Sequence, residues 1–201
     1  MRNRPQESNS FDDEYDEKPE MFGHPYKELQ DYFGRYPIKG TLLDLGCGQG
    51  RDSIFLASVG YQVTAVDSSK IGVKQMMDKA QSQGLKIDGI VSDAIDLKVG
   101  TRFDLILFDM LLHGFEKPKQ IELLKTFSNY LSERGIMCIV FPDDMNTNHF
   151  MNMLKSLPYD WKLLDEIPIK DVPKIKGEDN GFGFIMIVVQ LISGKSTIQR
   201  I

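Results

Sequence analysis

The stretch Leu42–Gly50, LLDLGCGQG, constrains the fold of this chain more than any other feature. An apolar run interrupted by Asp44 leads into three glycines at alternate positions, and a segment with helical character follows. A strand, a glycine turn and a helix in this order let the backbone approach a ligand with no Cβ in the way. A second apolar strand, Val63–Val66, ends in Asp67, where an α/β nucleotide site holds ribose hydroxyls. The pattern predicts a nucleotide-type site at the carboxyl ends of parallel strands.

The spacing of the glycines narrows the class of nucleotide. A dinucleotide fingerprint has the form G-x-G-x-x-G, and its third glycine would fall where this chain has Arg51. The chain instead has G-x-G-x-G, with Asp44 two residues before the first glycine. A carboxylate there would repel a pyrophosphate, whereas it suits a ligand that carries an ammonium and a sulfonium. A nicotinamide-dependent oxidoreductase is therefore disfavoured.

The run from Leu42 to Asp67 resembles motif I of the class I S-adenosylmethionine-dependent methyltransferases. Within that family it is most similar to the small-molecule branch that includes the tellurite-resistance and thiopurine methyltransferases. The resemblance implies S-adenosyl-L-methionine as the cofactor and in-line methyl transfer to a small molecule. A non-catalytic S-adenosylmethionine-binding or interaction protein on the same fold is the alternative, because fold and cofactor motif alone do not distinguish the two.

The resemblance also implies roles for residues at the strand ends. Asp44 is expected to orient the methionine ammonium, and Asp67 to accept hydrogen bonds from both ribose hydroxyls. Asp93 is expected to accept from the adenine amine, with the backbone N–H of Ala94 reading the ring. Plain helix-cap and turn roles are the alternatives for Asp67 and Asp93. The other residues predicted to contact the cofactor are Gly46, Cys47, Gly48, Gly50, Ser68 and Phe108.

The segment after the fourth predicted strand carries His113, which resembles a histidine that many small-molecule members have there. It is the candidate base or substrate contact, and the alternative is a residue that only packs the loop. The polar-Pro-Pro-aromatic motif of many DNA and protein-amine methyltransferases is missing here, which disfavours nucleobase methylation. The sequence has no zinc-type Cys/His cluster, and we predict no metal site.

The segment Phe11–Phe33 is acidic and rich in aromatic residues, so it has enough apolar area to dock on a domain. It is similar to the segment that covers the cofactor in the tellurite and thiopurine branch, with Tyr15 and Phe22 as the candidate lid contacts. A solvated acidic tail is the alternative. The predicted organisation is a disordered start at 1–10, a lid at 11–36, a methyltransferase domain at 37–193 and a tail at 194–201.

From Thr41 onward, predicted strands and helices alternate, which is typical of a parallel sheet covered on both faces. The expected fold is α/β: a Rossmann-like, doubly wound, mostly parallel seven-stranded sheet with an antiparallel last strand. Strands are predicted at Thr41–Leu45, Gln62–Val66, Ile87–Val91, Phe103–Phe108, Ile136–Phe141, Lys162–Ile167 and Phe182–Leu191. Helices are predicted at Arg51–Val59, Ser69–Gln83, Lys119–Leu131 and Thr147–Ser156, with a long loop from Pro168 to Gly181.

Composition limits the partners that this chain is expected to have. Its 201 residues carry a formal net charge of −5, which argues against a nucleic-acid surface. The two cysteines, Cys47 and Cys138, fall in or beside strands predicted to be buried and fit a reducing compartment. No signal peptide or bilayer-length apolar run is visible. We therefore expect a cytoplasmic monomer or homodimer that acts on a small molecule, with no nucleic-acid or membrane partner.

Overall fold

The computed structural model describes residues 10–170 and 183–194. Residues 1–9 of the predicted disordered start, most of the loop from Pro168 to Gly181 and residues 195–201 of the predicted tail lie outside the described residues. The helices are α1 Ser10–Glu17, α2 Lys27–Arg35, α3 Arg51–Ser58, α4 Lys70–Ser82, α5 Lys117–Ser128 and α6 Thr147–Ser156, with a 3₁₀ turn at Leu112–Gly114. The strands are β1 Thr41–Leu45, β2 Gln62–Asp67, β3 Ile87–Val91, β4 Phe103–Asp109, β5 Leu131–Pro142, β6 Tyr159–Ile169 and β7 Phe184–Gly194.

The strands form one seven-stranded sheet in the order β3-β2-β1-β4-β5-β7-β6. The pairs from β3 to β5 are parallel, whereas β7 runs antiparallel to both of its neighbours, β5 and β6. The predicted fold, a doubly wound and mostly parallel sheet with an antiparallel last strand, is confirmed. The strand order reverses between β1 and β4, and ligands of open α/β sheets bind at such switch points.

Alternate residues of the central strands face two separate apolar cores, as the period of a strand requires. Leu43 and Ile106 belong to the core that α5 and α6 cover, and Leu42 and Leu105 belong to the core that α2, α3 and α4 cover. Both faces of the sheet are therefore buried, which explains why these strands read as nearly continuous apolar runs. No helix in residues 10–170 or 183–194 has the length and apolarity needed to cross a membrane.

Several local signals place the helix boundaries. The Ser69 hydroxyl accepts a hydrogen bond from the Gly72 N–H at 2.9 Å and caps α4, which begins one residue after its predicted start. The helix α5 begins at Lys117 and ends at Ser128, three residues before the predicted end. Leu131, which we predicted as the last residue of this helix, is fully buried and pairs with Phe103 as the start of β5. Tertiary burial of Leu131 in the sheet thus overrides the helical pattern.

The N-terminal segment contains two helices that the sequence analysis did not predict as helices. The helix α1 packs on α4. The helix α2 buries Leu29 and Phe33 against the face of the sheet that α3 and α4 also cover. Both helices are short and polar apart from these contacts, so their stability comes from packing on the domain.

Candidate functional site

A cavity of about 510 Å³ lies at the carboxyl ends of β1, β2 and β4, beneath the N-terminal segment. Most of the residues predicted from sequence to form the site line this cavity. They are Tyr15, Phe22, Asp44, Gly46, Cys47, Gly48, Asp67, Ser68, Asp93, Ala94 and His113. The fold thus brings together residues that are up to about a hundred positions apart in the chain.

Two residues of the predicted site lie elsewhere. Phe108 is fully buried on the α5 side of the sheet, where its ring stacks edge-on against Phe127 at 5.7 Å. Gly50 has a left-handed φ of 80°, and a Cβ there would lie 2.1 Å from Cγ of Met76. Gly50 therefore permits the close packing of α3 on α4. Neither Gly50 nor Phe108 lines the cavity, and their predicted contact with the cofactor stays a prediction.

Asp67 organises the loops around it. Its Oδ2 accepts from the Gly48 N–H at 2.8 Å, and its Oδ1 accepts from the Ser69 N–H at 2.7 Å. Burial raises the pKa of Asp67, although these backbone donors oppose that rise. A carboxylate has about four lone-pair sites, so both oxygens retain acceptor capacity toward the cavity. Asp67 thus holds the glycine loop and the start of α4 together through hydrogen bonds, and its contact with ribose stays a prediction.

Asp44 is 2% exposed, and its Oδ2 accepts from the Ser53 hydroxyl at 2.5 Å. This contact ties the end of β1 to the first turn of α3, and the sequence analysis did not single out Ser53. Burial, together with the nearby Asp52, raises the pKa of Asp44 to about 7. Near neutral pH this carboxyl therefore exists in both protonation states, and its predicted role toward an ammonium is untested.

Arg51, noted in the sequence only because it replaces a glycine, is the centre of a buried charge cluster. Its guanidinium binds Asp52 with an Nη2–Oδ2 distance of 2.9 Å and also binds Asp109 at the end of β4. The same guanidinium lies 4.1 Å above the ring of Tyr26. Burial alone would lower the pKa of Arg51, but the two carboxylates raise it, so the guanidinium is held charged.

The loop after β3 brings Asp93 and Ala94 to the cavity. Asp93 is exposed, and its Oδ1 accepts from the Ile95 N–H at 2.9 Å. This hydrogen bond stabilises the turn after β3, which is the alternative role that the sequence analysis gave for Asp93. The second carboxylate oxygen has no such local bond among the contacts of the described residues, so a contact with an adenine amine is compatible with this turn.

The N-terminal segment packs directly on the glycine loop. Tyr15 is 4% exposed, and a Cβ on Gly48 would lie 2.7 Å from its hydroxyl oxygen. The ring of Phe22 meets Tyr15 edge-on at 6.3 Å. Gln49 joins the segment to the loop, since its Oε1 accepts from the Met21 N–H at 2.8 Å and its Nε2 donates to the Lys18 carbonyl at 2.9 Å. The segment therefore covers the cavity.

His113 lies in the 3₁₀ turn after β4, at the mouth of the cavity. Its surface is exposed, yet partial desolvation lowers the pKa of the imidazole below 6.5, and Asp144 opposes this shift. The imidazole is therefore mostly neutral at pH 7 and able to accept a proton. This state suits a general base, and the role itself stays a prediction.

Gln120, which the sequence analysis missed, holds the turn that carries His113. Its Nε2 donates to the carbonyls of Leu112 at 3.0 Å and Phe115 at 2.9 Å. Its Oε1 lies 2.9 Å from Nε2 of His149, which must then carry the proton because an amide oxygen only accepts. No local pattern marks Gln120 in the sequence, since its partners come from a turn and from α6.

We expect Gln120→Leu to lower the free energy of unfolding by about 1–3 kcal/mol, because it removes the side-chain donor to the Leu112 and Phe115 carbonyls and the acceptor that faces Nε2 of His149. Urea denaturation measures the change. Gln190→Leu is the matched control, since Gln190 donates one bond, to the Arg134 carbonyl at 3.0 Å, at an exposed position far from the turn. Equal destabilisation by the two substitutions would contradict a special role for Gln120.

A metal centre finds no support in the part of the chain that the structure describes. Within residues 10–170 and 183–194, no three His, Cys, Asp or Glu side chains are grouped so that they could hold a metal ion. Cys47 and Cys138 are free and buried.

Comparison with known proteins shows which proteins this chain is similar to. Residues 42–135, from β1 into β5, match a family profile described as a methyltransferase domain. Over these residues the chain is similar to methyltransferase domains, which supports the family resemblance predicted from motif I.

The relatives agree with the branch named in the sequence analysis. A probable S-adenosyl-L-methionine-dependent methyltransferase, TehB, from Haemophilus influenzae is 27% identical over 133 residues, 62% of this chain and 46% of the relative. A ubiquinone biosynthesis O-methyltransferase from Caulobacter is 34% identical over 113 residues, 55% of this chain and 44% of the relative. The chain spans about half the length of these curated relatives.

A solved structure shows that the similarity of the fold extends beyond motif I. The crystal structure of TehB from Haemophilus influenzae superposes with a TM-score of 0.71 at 19% identity, covering 90% of this chain and 66% of that one. At this identity the likeness establishes the fold.

Proposed function

We propose that this protein binds S-adenosyl-L-methionine at the carboxyl ends of β1 and β2 and transfers its methyl group to a small molecule in the same cavity. The observation that carries this proposal is the convergence of Asp44, Asp67 and Asp93 with the glycine loop on one covered cavity. A volume of about 510 Å³ falls within the range of small-molecule sites.

The residues present fit this cofactor. Asp67 would hold the ribose, Asp93 and the backbone of Ala94 the adenine, and Asp44 with Gly46 the methionine end. Bound S-adenosylmethionine supplies a methyl group already activated by its sulfonium, so the chain needs no covalent intermediate of its own. The names of the relatives support this assignment, since TehB of Haemophilus influenzae is described as S-adenosyl-L-methionine-dependent.

The chain's own residues would align the acceptor and exclude water. The ring of Tyr15 covers the glycine loop from above and leaves little room for solvent there. His113, neutral near pH 7, would take a proton from an acceptor that must lose one. An acceptor without such a proton would not need this base.

We also propose a cytoplasmic location and a monomer or homodimer as the working state. The location is supported by two buried, free thiols, which suit a reducing compartment. The acceptor is proposed to be a small molecule, and neither nucleic acid nor membrane is proposed as a partner, since the net charge of −5 does not favour either surface.

Asp67→Ala is expected to weaken S-adenosylmethionine binding by roughly ten- to more than a hundred-fold, or about 1.5–3 kcal/mol, because it removes a charge-assisted acceptor for the ribose hydroxyls. Isothermal titration calorimetry measures the affinity, and circular dichroism checks that the variant is folded. Asp88→Ala is the control, since Asp88 is exposed on β3 outside the cavity. Unchanged affinity in a folded Asp67→Ala protein would remove Asp67 from the site.

Turnover distinguishes an enzyme from a non-catalytic binding protein on the same fold. Mass spectrometry of ligand retained during purification identifies the cofactor, and release of S-adenosylhomocysteine with a panel of small acceptors reports transfer. A protein that binds the cofactor but releases no S-adenosylhomocysteine with any acceptor would favour the binding module.

A further inference from the structure

The ring of Tyr15 lies in a slot between two glycines, Gly48 of the glycine loop and Gly72 in the first turn of α4. A Cβ on Gly72 would lie 3.0 Å from Cδ2 and Cε2 of the ring, and a Cβ on Gly48 would lie 2.7 Å from its hydroxyl oxygen. Among residues 11–17, Tyr15 alone has a buried side chain. The slot therefore holds α1 on the domain mainly through this one ring.

The contact with Tyr15, and not the geometry of the helix, explains why position 72 is a glycine. The φ of Gly72 lies outside the left-handed region, so its backbone conformation is open to any residue. Alanine forms helices more readily than glycine, so the glycine weakens α4. A side chain here would press on the Tyr15 ring and would lie 2.9 Å from the Gly48 carbonyl oxygen. The glycine thus makes room for the docked ring.

Two glutamine side chains hold the rest of this docking segment, residues 10–21, beside the slot. The Nε2 of Gln75 donates to the Tyr15 carbonyl at 2.9 Å, and its Oε1 accepts from Nε2 of Gln49 at 2.7 Å. Gln49 also bonds the backbone of the segment at two further residues. The segment is therefore attached by one buried ring and a few side-chain hydrogen bonds, which is typical of elements that open locally while the domain stays folded.

The docking segment shares its partners with Asp67, the proposed ribose acceptor. Asp67 accepts from the backbone N–H groups of Gly48 and Ser69. Gly48 lies against the ring of Tyr15, and the Ser69 hydroxyl donates to Oδ1 of Asp12 on α1. The position of α1 and the arrangement of the cofactor site are thus linked through the same two residues.

The docking segment also forms one wall of the cavity, which Phe11, Glu14, Tyr15 and Met21 line. A cofactor bound against the glycine loop is therefore covered for as long as the ring of Tyr15 stays in its slot. Exchange of the cofactor then requires the ring to leave the slot.

We propose that the docking segment is a gate for the cofactor: withdrawal of Tyr15 from its slot admits S-adenosylmethionine and releases S-adenosylhomocysteine. This inference rests on the proposed function. Gly72 and Gln75 are positioning residues of the gate, since neither lines the cavity and both act through Tyr15. A gate has a kinetic signature. Loosening it raises the association and dissociation rates together, whereas loss of a wall contact raises the dissociation rate alone.

Gln75→Ala tests the gate without changing the cavity lining. Hydrogen–deuterium exchange of residues 10–21 in the ligand-free protein is expected to be about three- to ten-fold faster, because two hydrogen bonds of the docked state are lost. Surface plasmon resonance with S-adenosylhomocysteine is expected to show both rates raised by a similar factor. Gln81→Ala, the same change at an exposed position of α4, should alter none of these rates. Unchanged hydrogen exchange, or faster dissociation with unchanged association, would overturn the gate.

A second pair of variants tests the slot. Gly72→Ala places a methyl group against the ring and is expected to raise the same rates. Gly34→Ala in α2, where the nearest atom would lie 4.0 Å from the new Cβ, should leave them unchanged. In a Tyr15→Ala background, Gly72→Ala should add little, and an equal further effect there would show that Gly72 does not act through the ring. If the unchanged protein fails to bind S-adenosylhomocysteine, the proposed function fails and the gate with it. If it binds with rates that Gln75→Ala leaves unaltered, only the gate is wrong.

Discussion

Removal of residues 1–21 is expected to abolish methyl transfer and weaken cofactor binding while the core stays folded. The deleted segment contains α1 and the buried ring of Tyr15, which covers Gly48 beside the cavity. The seven strands and the helices α2 to α6 lie outside the deletion, and both apolar cores are built from them. Without α1, water reaches the glycine loop and the acceptor loses one wall of its site.

Calorimetry with S-adenosylmethionine and the rate of S-adenosylhomocysteine release measure the two effects, and thermal unfolding monitors the core. The control lacks only residues 1–9, so it keeps α1 and should retain activity. Tyr15→Ala is expected to reproduce part of the loss, and Tyr15→Phe, which keeps the ring, should lose much less. If the chain that lacks residues 1–21 turned over as fast as the full chain, the lid hypothesis would be wrong.

His113→Ala is expected to slow transfer to acceptors that must lose a proton by about 10²–10⁴-fold. Burial lowers the pKa of His113 below 6.5, so the imidazole is neutral and able to accept a proton at pH 7. The rate should therefore rise with pH through this lowered pKa and level off above it, and the variant should lose that rise. Initial rates from pH 5 to pH 8 measure the profile.

Two controls separate proton transfer from packing. An acceptor that has no proton to lose should be methylated almost as fast by the His113→Ala protein as by the unchanged protein. His24→Ala removes an exposed histidine that does not line the cavity and should leave the pH profile unchanged. Equal slowing of acceptors with and without such a proton by His113→Ala would indicate that the residue only packs the turn.

Local sequence was sufficient for the sheet and for the glycine loop. The bounds of β1 and β3 match the predicted strands, because short apolar runs between turn signals leave few alternatives. The helix α4 begins within one residue of its predicted start, since the cap by Ser69 depends on neighbours within the same turn. The carboxyl ends of parallel strands meet at one edge, so Asp44 and Asp67 could be placed at the same cavity without the structure.

Other features depended on partners that are distant in sequence. Phe108 lies in the apolar strand β4, as predicted. Its side chain points to the face of the sheet where Phe127 lies, and the sequence alone did not reveal which face it takes. The helices α1 and α2 are short, and they form because the domain surface buries them.

The charges of the cavity were also decided by tertiary structure. In the sequence, Arg51 was notable only because it stands where a dinucleotide fingerprint has its third glycine. The fold shows that Asp109, 58 positions away, and Asp52 together neutralise its charge. The same holds for Gln120 and His149, which meet across α5 and α6. Sequence by itself determined the strands and the main helices that follow β1, together with the family resemblance, because these follow from local patterns of apolar and turn residues. Tertiary structure decided which polar groups pair, because electrostatic and hydrogen-bond partners depend on distance in space, which local pattern does not encode.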